Sequence, residues 1–260
     1  MKYKFAFNLT NDEYLLASGV LRVPLLLGNV DPFFNLSPGQ IAVAMERARQ
    51  SLQARQLVEV ADTGEVAISP RLSALISVCA FPNYSLIATY TDARGMCDVR
   101  FYHITTQLIV EDAVAEDGSH TLTQVSLASL AERVSAQFKL DSQPAAPANR
   151  CRLSRAALEQ ARNKAASSGA EAAVERLQAA GVGKHTAARL AHALARPVSN
   201  SALGVVSYVN EPPRPSLGVL EATDGLWILR FTADGEQVEC IPAEAAVIKQ
   251  LIADSVPYEV

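Results

Sequence analysis

Hydrophobic positions along the chain change period from segment to segment, and those periods predict an alternating series of helices and strands. Residues 2–7 alternate polar and apolar and suit a strand. Thr10-x-x-Glu13 has the spacing of a capping box and opens a short helix to about residue 18. The stretch RVPLLL at 22–27 is too brief and too proline-interrupted for a helix, and DPFFNL at 31–36 reads as a loop carrying two aromatics. Ser37 then offers an N-cap before Pro38 at the first helical position. Ile41, Ala44, Met45, Ala48 and Leu52 form one helical stripe that ends near Arg55. Residues 57–60 and 65–68 read as a small hairpin about Asp62-Thr63-Gly64, and Pro70 starts a helix that Pro82 stops.

Four strand-like runs follow at 84–90, 97–104, 107–112 and 121–125, separated by Asp92-Ala-Arg-Gly95 and Glu116-Asp117-Gly118. Ser126 caps a helix through about Phe138. The stretch DSQPAAPAN at 141–149 has linker composition. Helices are then predicted at 153–166, 171–180 and 184–195, strands at 203–209, 217–221, 226–232 and 237–241, and a last helix from Pro242 to about 254.

The second half thus repeats the order of the first. Leu52-Gln53-Ala54 matches Leu177-Gln178-Ala179, and Ala80-Phe81-Pro82 matches Ala195-Arg196-Pro197. Tyr90 corresponds to Tyr208, and Asp117-Gly118 to Asp234-Gly235. Offsets of roughly 115 to 125 residues fit a duplication with small insertions. The expected fold is α+β, internally duplicated and quasi-two-fold, with a central antiparallel β-sheet flanked by two helical bundles. Its parts would be an N-terminal repeat at 1–140, a linker at 141–152 and a C-terminal repeat at 153–260, integrated into one domain.

Composition narrows the function. The chain has 260 residues, 49% hydrophobic and 19% charged, with a formal net charge of −4 and a pI near 5.6. That balance, without any Lys/Arg-dense run, argues against a protein built to grip phosphate backbones. The four cysteines, Cys79, Cys97, Cys151 and Cys240, stand singly, with no CxxC pair and no zinc spacing. They read as small apolar side chains of a reducing compartment, although a bridge between distant members stays open. No run reaches the ~18 apolar residues of a membrane span. The N-terminus is too polar for a signal-peptide core, so a cytoplasmic location is expected.

Motifs for catalysis are missing. His103, His120, His185 and His192 give neither HExxH nor a Cys/His ligand set. His185 and His192 read as solvated helix positions, and His103 as a packed or interface residue. In Gly181-Val-Gly183-Lys184-His185-Thr186 the position of the first P-loop glycine is Gln178, and His185 intervenes before the threonine, so a phosphate loop is excluded. The same segment resembles a helix-hairpin-helix, and residues 37–68 have a winged-helix order with Arg47, Arg49 and Arg55 as candidate contacts. These two segments support the alternative of a nucleic-acid-binding regulator. Nothing gathers a nucleophile, a base and an orienting acid; the chain reads as a non-enzyme with no cofactor and no metal.

Strand alternation points to binding. In 226–231 both faces are apolar, Trp227, Leu229 and Phe231 on one and Leu226 and Ile228 on the other. A sheet covered on one side only would expose such a face to a partner; a sheet covered on both sides would not. A partner surface on such a face would use Tyr208 and Trp227 as anchors, with Arg214 and Arg230 as rim charges.

The stretches NLTNDEYLLASG, VPLLL, LQARQLV, GEVAISP and SVCAFPNYSLIATY resemble the N-terminal half of the EspG family of ESX (type VII) secretion-associated proteins. RLQAAGVGKHTAARLAHALARP and the closing IPAEAAVIKQLI are similar in order to its second half. The resemblance implies a quasi-two-fold α+β fold and the role of a cytosolic chaperone. Such a chaperone binds a helical PE–PPE-like heterodimer, masks its apolar tip and delivers it to the secretion machinery. It further implies contacts from the sheet, from the loop after the first meander strand and from the C-terminal helical bundle. Carried over to this sequence, the loop is 91–96, with Thr91, Asp92, Arg94 and Met96, and the sheet candidates are Tyr208, Trp227, Leu229 and Phe231. The chain departs from the family pattern in the shortness of that loop and in lacking a Gly/Arg-rich strand in the second meander.

Overall fold

A computed structural model describes residues 5–23, 27, 33, 35–211 and 214–256. The expectations for 22–27 and 31–36, and the first residues of the strand read at 2–7, fall largely outside these described residues. The elements are β1 (Ala6–Leu9), α1 (Asn11–Val20), α2 (Pro38–Ala54), β2 (Val58–Val60), β3 (Val66–Ile68) and α3 (Pro70–Ala80). A meander follows, β4 (Tyr84–Asp92), β5 (Cys97–Ile104), β6 (Ile109–Val114) and β7 (His120–Val125), closed by α4 (Leu127–Gln137). Then come β8 (Cys151–Ser154), α5 (Arg155–Ser168), α6 (Ala170–Ala179) and α7 (Lys184–Ala195). The second meander is β9 (Ser199–Ser207), β10 (Leu217–Ala222), β11 (Gly225–Phe231) and β12 (Gln237–Pro242), followed by α8 (Ala245–Ser255). The α+β class expected from the sequence is the one observed.

The chain divides into two compact units, Met1–Ser85 with Val99–Leu127 and Val260, and Leu86–Asp98 with Ala128–Glu259. The division falls inside β4 and β5. In the first unit the strand order is β1-β7-β6-β5, with antiparallel pairing throughout. Local chemistry starts its helices. Thr10 Oγ1 accepts from the Glu13 amide at 3.2 Å while the Thr10 amide donates to Glu13 Oε2 at 2.8 Å, and Ser37 and Gln40 make the same reciprocal cap. The apolar sides of α1, α2 and α3 meet Leu9, Val110 and Leu122 of the sheet in one core around Tyr14, Leu52, Leu72 and Ile76. That core also buries polar groups: His120 Nδ1 lies 2.9 Å from Asp112 Oδ1 and the His120 ring stacks on Tyr14.

In the second unit the order is β4-β9-β10-β11-β12-β8, with antiparallel pairs from β9 through β8. Three elements differ from expectation here, the first being β9, which runs Ser199–Ser207 where the strand was read at 203–209. Residues 151–154 form an edge strand against β12, where the helical reading had begun at 153; Ser154 then caps α5 by accepting from the Ala157 amide at 3.2 Å. Pro242 ends β12 opposite Trp227 instead of opening a helix, and α8 begins three residues later. The stretch at 141–149 packs through its backbone: the Leu226 amide donates to the Pro144 carbonyl at 2.9 Å, and the Ala146 amide to the Leu226 carbonyl at 3.2 Å. On α4, the Gln137 side-chain amide donates to the carbonyls of Ala88 and Asp98, each at 3.1 Å.

Candidate functional site

The second unit carries all ten of the sequence-predicted surface residues. Three helices, α5 to α7, cover one face of its sheet. Gly181, with φ of +87°, turns the chain sharply between α6 and α7, so that Leu177, Val182 and Leu190 bury together. They join Leu220, Trp227, Leu229, Val238 and Cys240 in one core, with Phe231 packed at its margin. Side chains alternate along β11, so Leu226, Ile228 and Arg230 belong to the opposite face. Leu226 and Ile228 are each 1% exposed, and a cleft lined by Leu217, Arg230, Leu251 and Asp254 brings α8 to that side. Both faces are therefore covered.

This coverage corrects the reading of one anchor, Trp227, and of the sheet candidate Leu229. Trp227 is fully buried and Leu229 is 2% exposed, because the α5–α7 bundle occupies the face they point to. What these two side chains supply is packing. The remaining candidates sit where strands end and covering helices stop. Tyr208 follows β9 and is 51% exposed. Ser207 Oγ and the Glu211 amide both donate to the Val209 carbonyl, at 3.0 and 2.8 Å, which folds the backbone beside it into a tight turn.

Arg214 and Arg230 come together in a cleft of about 300 Å³ with Val205, Ser216, Leu217 and Leu251. Arg214 reaches Glu211 Oε2 at 3.2 Å. Ser216 is shared with a second cleft of about 200 Å³, lined by Leu158, Arg162 and the half-buried Phe231. The Arg155 guanidinium lies 6.0 Å from the Phe231 ring centroid and is itself held by Glu159 at 2.7 Å. The two clefts combine apolar walls with several guanidinium donors, and among the described residues lining them no nucleophile is paired with a base. Such a surface suits recognition of an amphipathic chain.

The loop at 91–96 is a tight hairpin connection. Asp92 Oδ1 accepts from the Arg94 and Met96 amides at 2.9 and 3.0 Å, the Arg94 guanidinium reaches Asp92 Oδ2 at 3.0 Å, and Gly95 takes φ of +81°. Desolvation works to raise the Asp92 pKa, but these hydrogen bonds outweigh it and hold the carboxyl below its ordinary value. Arg94 and Met96 are exposed, whereas Thr91 and Asp92 belong to β4. None of the four lines either cleft.

In the segments behind the nucleic-acid alternative, three arginines are engaged within the chain. Arg49 is bound by Glu46 at 2.5 Å, and Arg55 donates to the Asn8 carbonyl at 2.8 Å with Glu13 3.6 Å away. Arg189 on α7 pairs with Asp224 at 3.0 Å. Among the described residues no group of three or more His, Cys, Asp or Glu side chains could hold a metal ion, and no helix is long and apolar enough to cross a membrane.

The sequence model of the EspG family matches residues 16–254. The chain belongs to the EspG family. Its fold is similar to that of the Mycobacterium tuberculosis type VII secretion system chaperone EspG5, solved in complex with a PE25–PPE41 dimer. The TM-score is 0.72 at 16% identity, and the alignment covers 98% of each chain. No curated protein matches the chain.

Of the residues lining the two clefts of this EspG-family chain, Arg214, Arg230 and Phe231 were singled out in the sequence, whereas Arg155, Arg162, Ser216, Leu251 and Asp254 were not. The last two sit at the far end of α8, brought to β11 only by tertiary packing. Arg155, Glu159 and Arg162 did leave a local signal, since that spacing sets three charges on one side of α5.

Proposed function

We propose that this protein is a cytoplasmic, non-enzymatic chaperone that binds a helical PE–PPE-like heterodimer and delivers it to a type VII secretion system. Membership of the EspG family across residues 16–254 carries this reading, and the likeness to EspG5, whose structure contains a PE25–PPE41 dimer, supports the class of client. Two meanders, each closed by a helix, also support reading the chain as a duplicated unit, 1–140 and 153–260, joined at 141–152.

The contact surface we assign is the rim of the second unit: Tyr208, Arg214, Arg230 and Phe231, with Thr91, Asp92, Arg94 and Met96 of the β4–β5 connection as a separate patch. Aromatic and arginine side chains at the margin of a covered sheet can embrace an apolar helical tip and hydrogen-bond its exposed carbonyls. The test is co-expression with a PE–PPE pair of a type VII system, followed by size-exclusion chromatography with light scattering. A complex holding one copy of each chain is expected. Tyr208→Ala and Arg230→Glu should each weaken it by about tenfold, roughly 1.4 kcal/mol, without lowering the melting temperature. A chain that stays alone in the presence of such pairs would overturn the function. Full affinity in both folded variants would overturn the surface.

A further inference from the structure

Two of the four cysteines, 89 positions apart in sequence, face each other across neighbouring strands. The antiparallel register of β12 and β8 sets Cys240 directly opposite Cys151. Directly opposed residues share a face, with Cβ atoms about 4.5–5.5 Å and Cα atoms about 4.5–5.5 Å apart. A disulfide needs Cα atoms about 4.4–6.8 Å apart and Cβ atoms about 3.5–4.5 Å apart. A small inward movement of one strand completes that geometry. β8 can supply it, because it is four residues long and lies at the edge of the sheet with β12 as its one neighbour.

We propose that Cys151 and Cys240 form a redox-closable dithiol, a modification site that takes a small-molecule disulfide such as glutathione disulfide as oxidant and staples β8 to β12. The two sulfurs have unequal roles. Cys151 is half-buried and reachable from solvent, whereas Cys240 is fully buried in the core. Hydrogen bonding from the Cys240 thiol lowers the Cys151 pKa, and the same contact together with burial raises that of Cys240. Cys151 is thus the attacking thiolate. It forms a bond to one glutathione sulfur and expels the other as glutathione thiolate. Cys240 then gives up its proton, its sulfur attacks Cys151, and the second glutathione leaves. Two protein thiols and one glutathione disulfide become one protein disulfide and two glutathione thiols, with two electrons passing to the oxidant.

The flanking pair, Arg152 and Glu239, lines a cleft with Arg230 and Phe231, so the staple would fix the sheet edge beside the rim assigned above. The inference about the thiols does not depend on that assignment. The experiment uses the full chain carrying Cys97→Ala, which removes the exposed thiol, equilibrated in glutathione buffers from reducing to oxidising. Peptide mapping should find Cys151 joined to Cys240, with two of the three remaining thiols lost to titration. The urea midpoint should rise on oxidation and return on adding dithiothreitol. Cys151→Ser, which alters a half-buried position and should still fold, should show neither change. A lasting glutathione adduct on Cys151 with Cys240 reduced would overturn the proposal, as would a bridge that leaves the midpoint unmoved or lowered.

Discussion

Gly225 stands where two segments nearly touch, and replacing it with alanine should be disproportionately costly. It opens β11 after the two-residue turn from Ala222, with φ of +140°, a region that side-chain-bearing residues rarely enter. Moving an alanine there costs about 1–3 kcal/mol in backbone strain. Its Cβ would also fall 2.6 Å from the Ala145 carbonyl carbon and the Ala146 nitrogen, and 2.7 Å from the Ala146 Cα. Those are backbone atoms of a segment tied to Leu226 by two hydrogen bonds, so they cannot rotate away as a side-chain tip could. Displacing them adds about 1–3 kcal/mol of overpacking. Against this, alanine makes the unfolded chain less free, worth about 0.4–1 kcal/mol in its favour. The net destabilisation is about 1–6 kcal/mol. Trp227 is the chain's single tryptophan and is buried two residues away, so its fluorescence during urea denaturation reports on this unit. Gly204→Ala is the control: its Cβ meets nothing within 4 Å and its φ is ordinary, so it should be neutral or stabilising by up to about 1 kcal/mol. If Gly225→Ala unfolds within 0.5 kcal/mol of the parent, the close approach is not what the glycine accommodates.

Other consequences are as specific. Burial lowers the His103 pKa to about 4, with Asp112 partly opposing, while the unfolded chain takes up the proton near 6.5. The fold therefore keeps this stability above about pH 6.5 and loses it as pH falls toward 4, by about 3 kcal/mol in all. His103→Gln should flatten the fall in unfolding free energy over that window, and an unchanged slope would refute the assignment. Asp112→Ala leaves the buried His120 without this hydrogen-bond partner and should cost about 1–3 kcal/mol by urea melts. Trp227→Ala should lower stability by about 3–5 kcal/mol, whereas Tyr208→Ala should change it by less than about 0.5 kcal/mol; reversed effects in thermal melts would contradict the burial described.

What could be read from the sequence was whatever local chemistry dictates. Thr10–Glu13 announces its helix because a capping box closes within four residues, and Ser37–Pro38 because an N-cap residue precedes a proline at the first helical position. β5 and α7 have the bounds that alternation and helical periodicity gave. β8 escaped because Cys-Arg-Leu-Ser is too short for a period, and only its partner 89 positions away makes it a strand. Pro242 misled for a similar reason. A proline before an apolar stripe reads as a helix start, but here it closes β12 at a pairing position opposite Trp227. The facing cysteines and the Arg155–Phe231 contact were invisible on the same grounds, as products of register and of docking. Burial of Trp227 was legible only as a pair of alternatives, since alternation reveals that both strand faces are apolar but not what covers each.

With both faces of the second unit's sheet covered, partner recognition falls to its margins, and that changes the physics expected of it. An exposed Trp227-centred face would have bound through apolar area alone. The rim instead offers one exposed tyrosine, a half-buried phenylalanine and arginines, two of which, Arg155 and Arg214, already have intramolecular carboxylate partners. Guanidiniums so paired hold few releasable counterions, so a complex formed there should weaken only mildly as salt rises. Binding to a nucleic acid through six to ten phosphate contacts would instead fall about 10³–10⁵-fold between 50 and 200 mM salt. The salt slope of a measured affinity therefore distinguishes a protein client from a phosphate backbone without any knowledge of which residues touch.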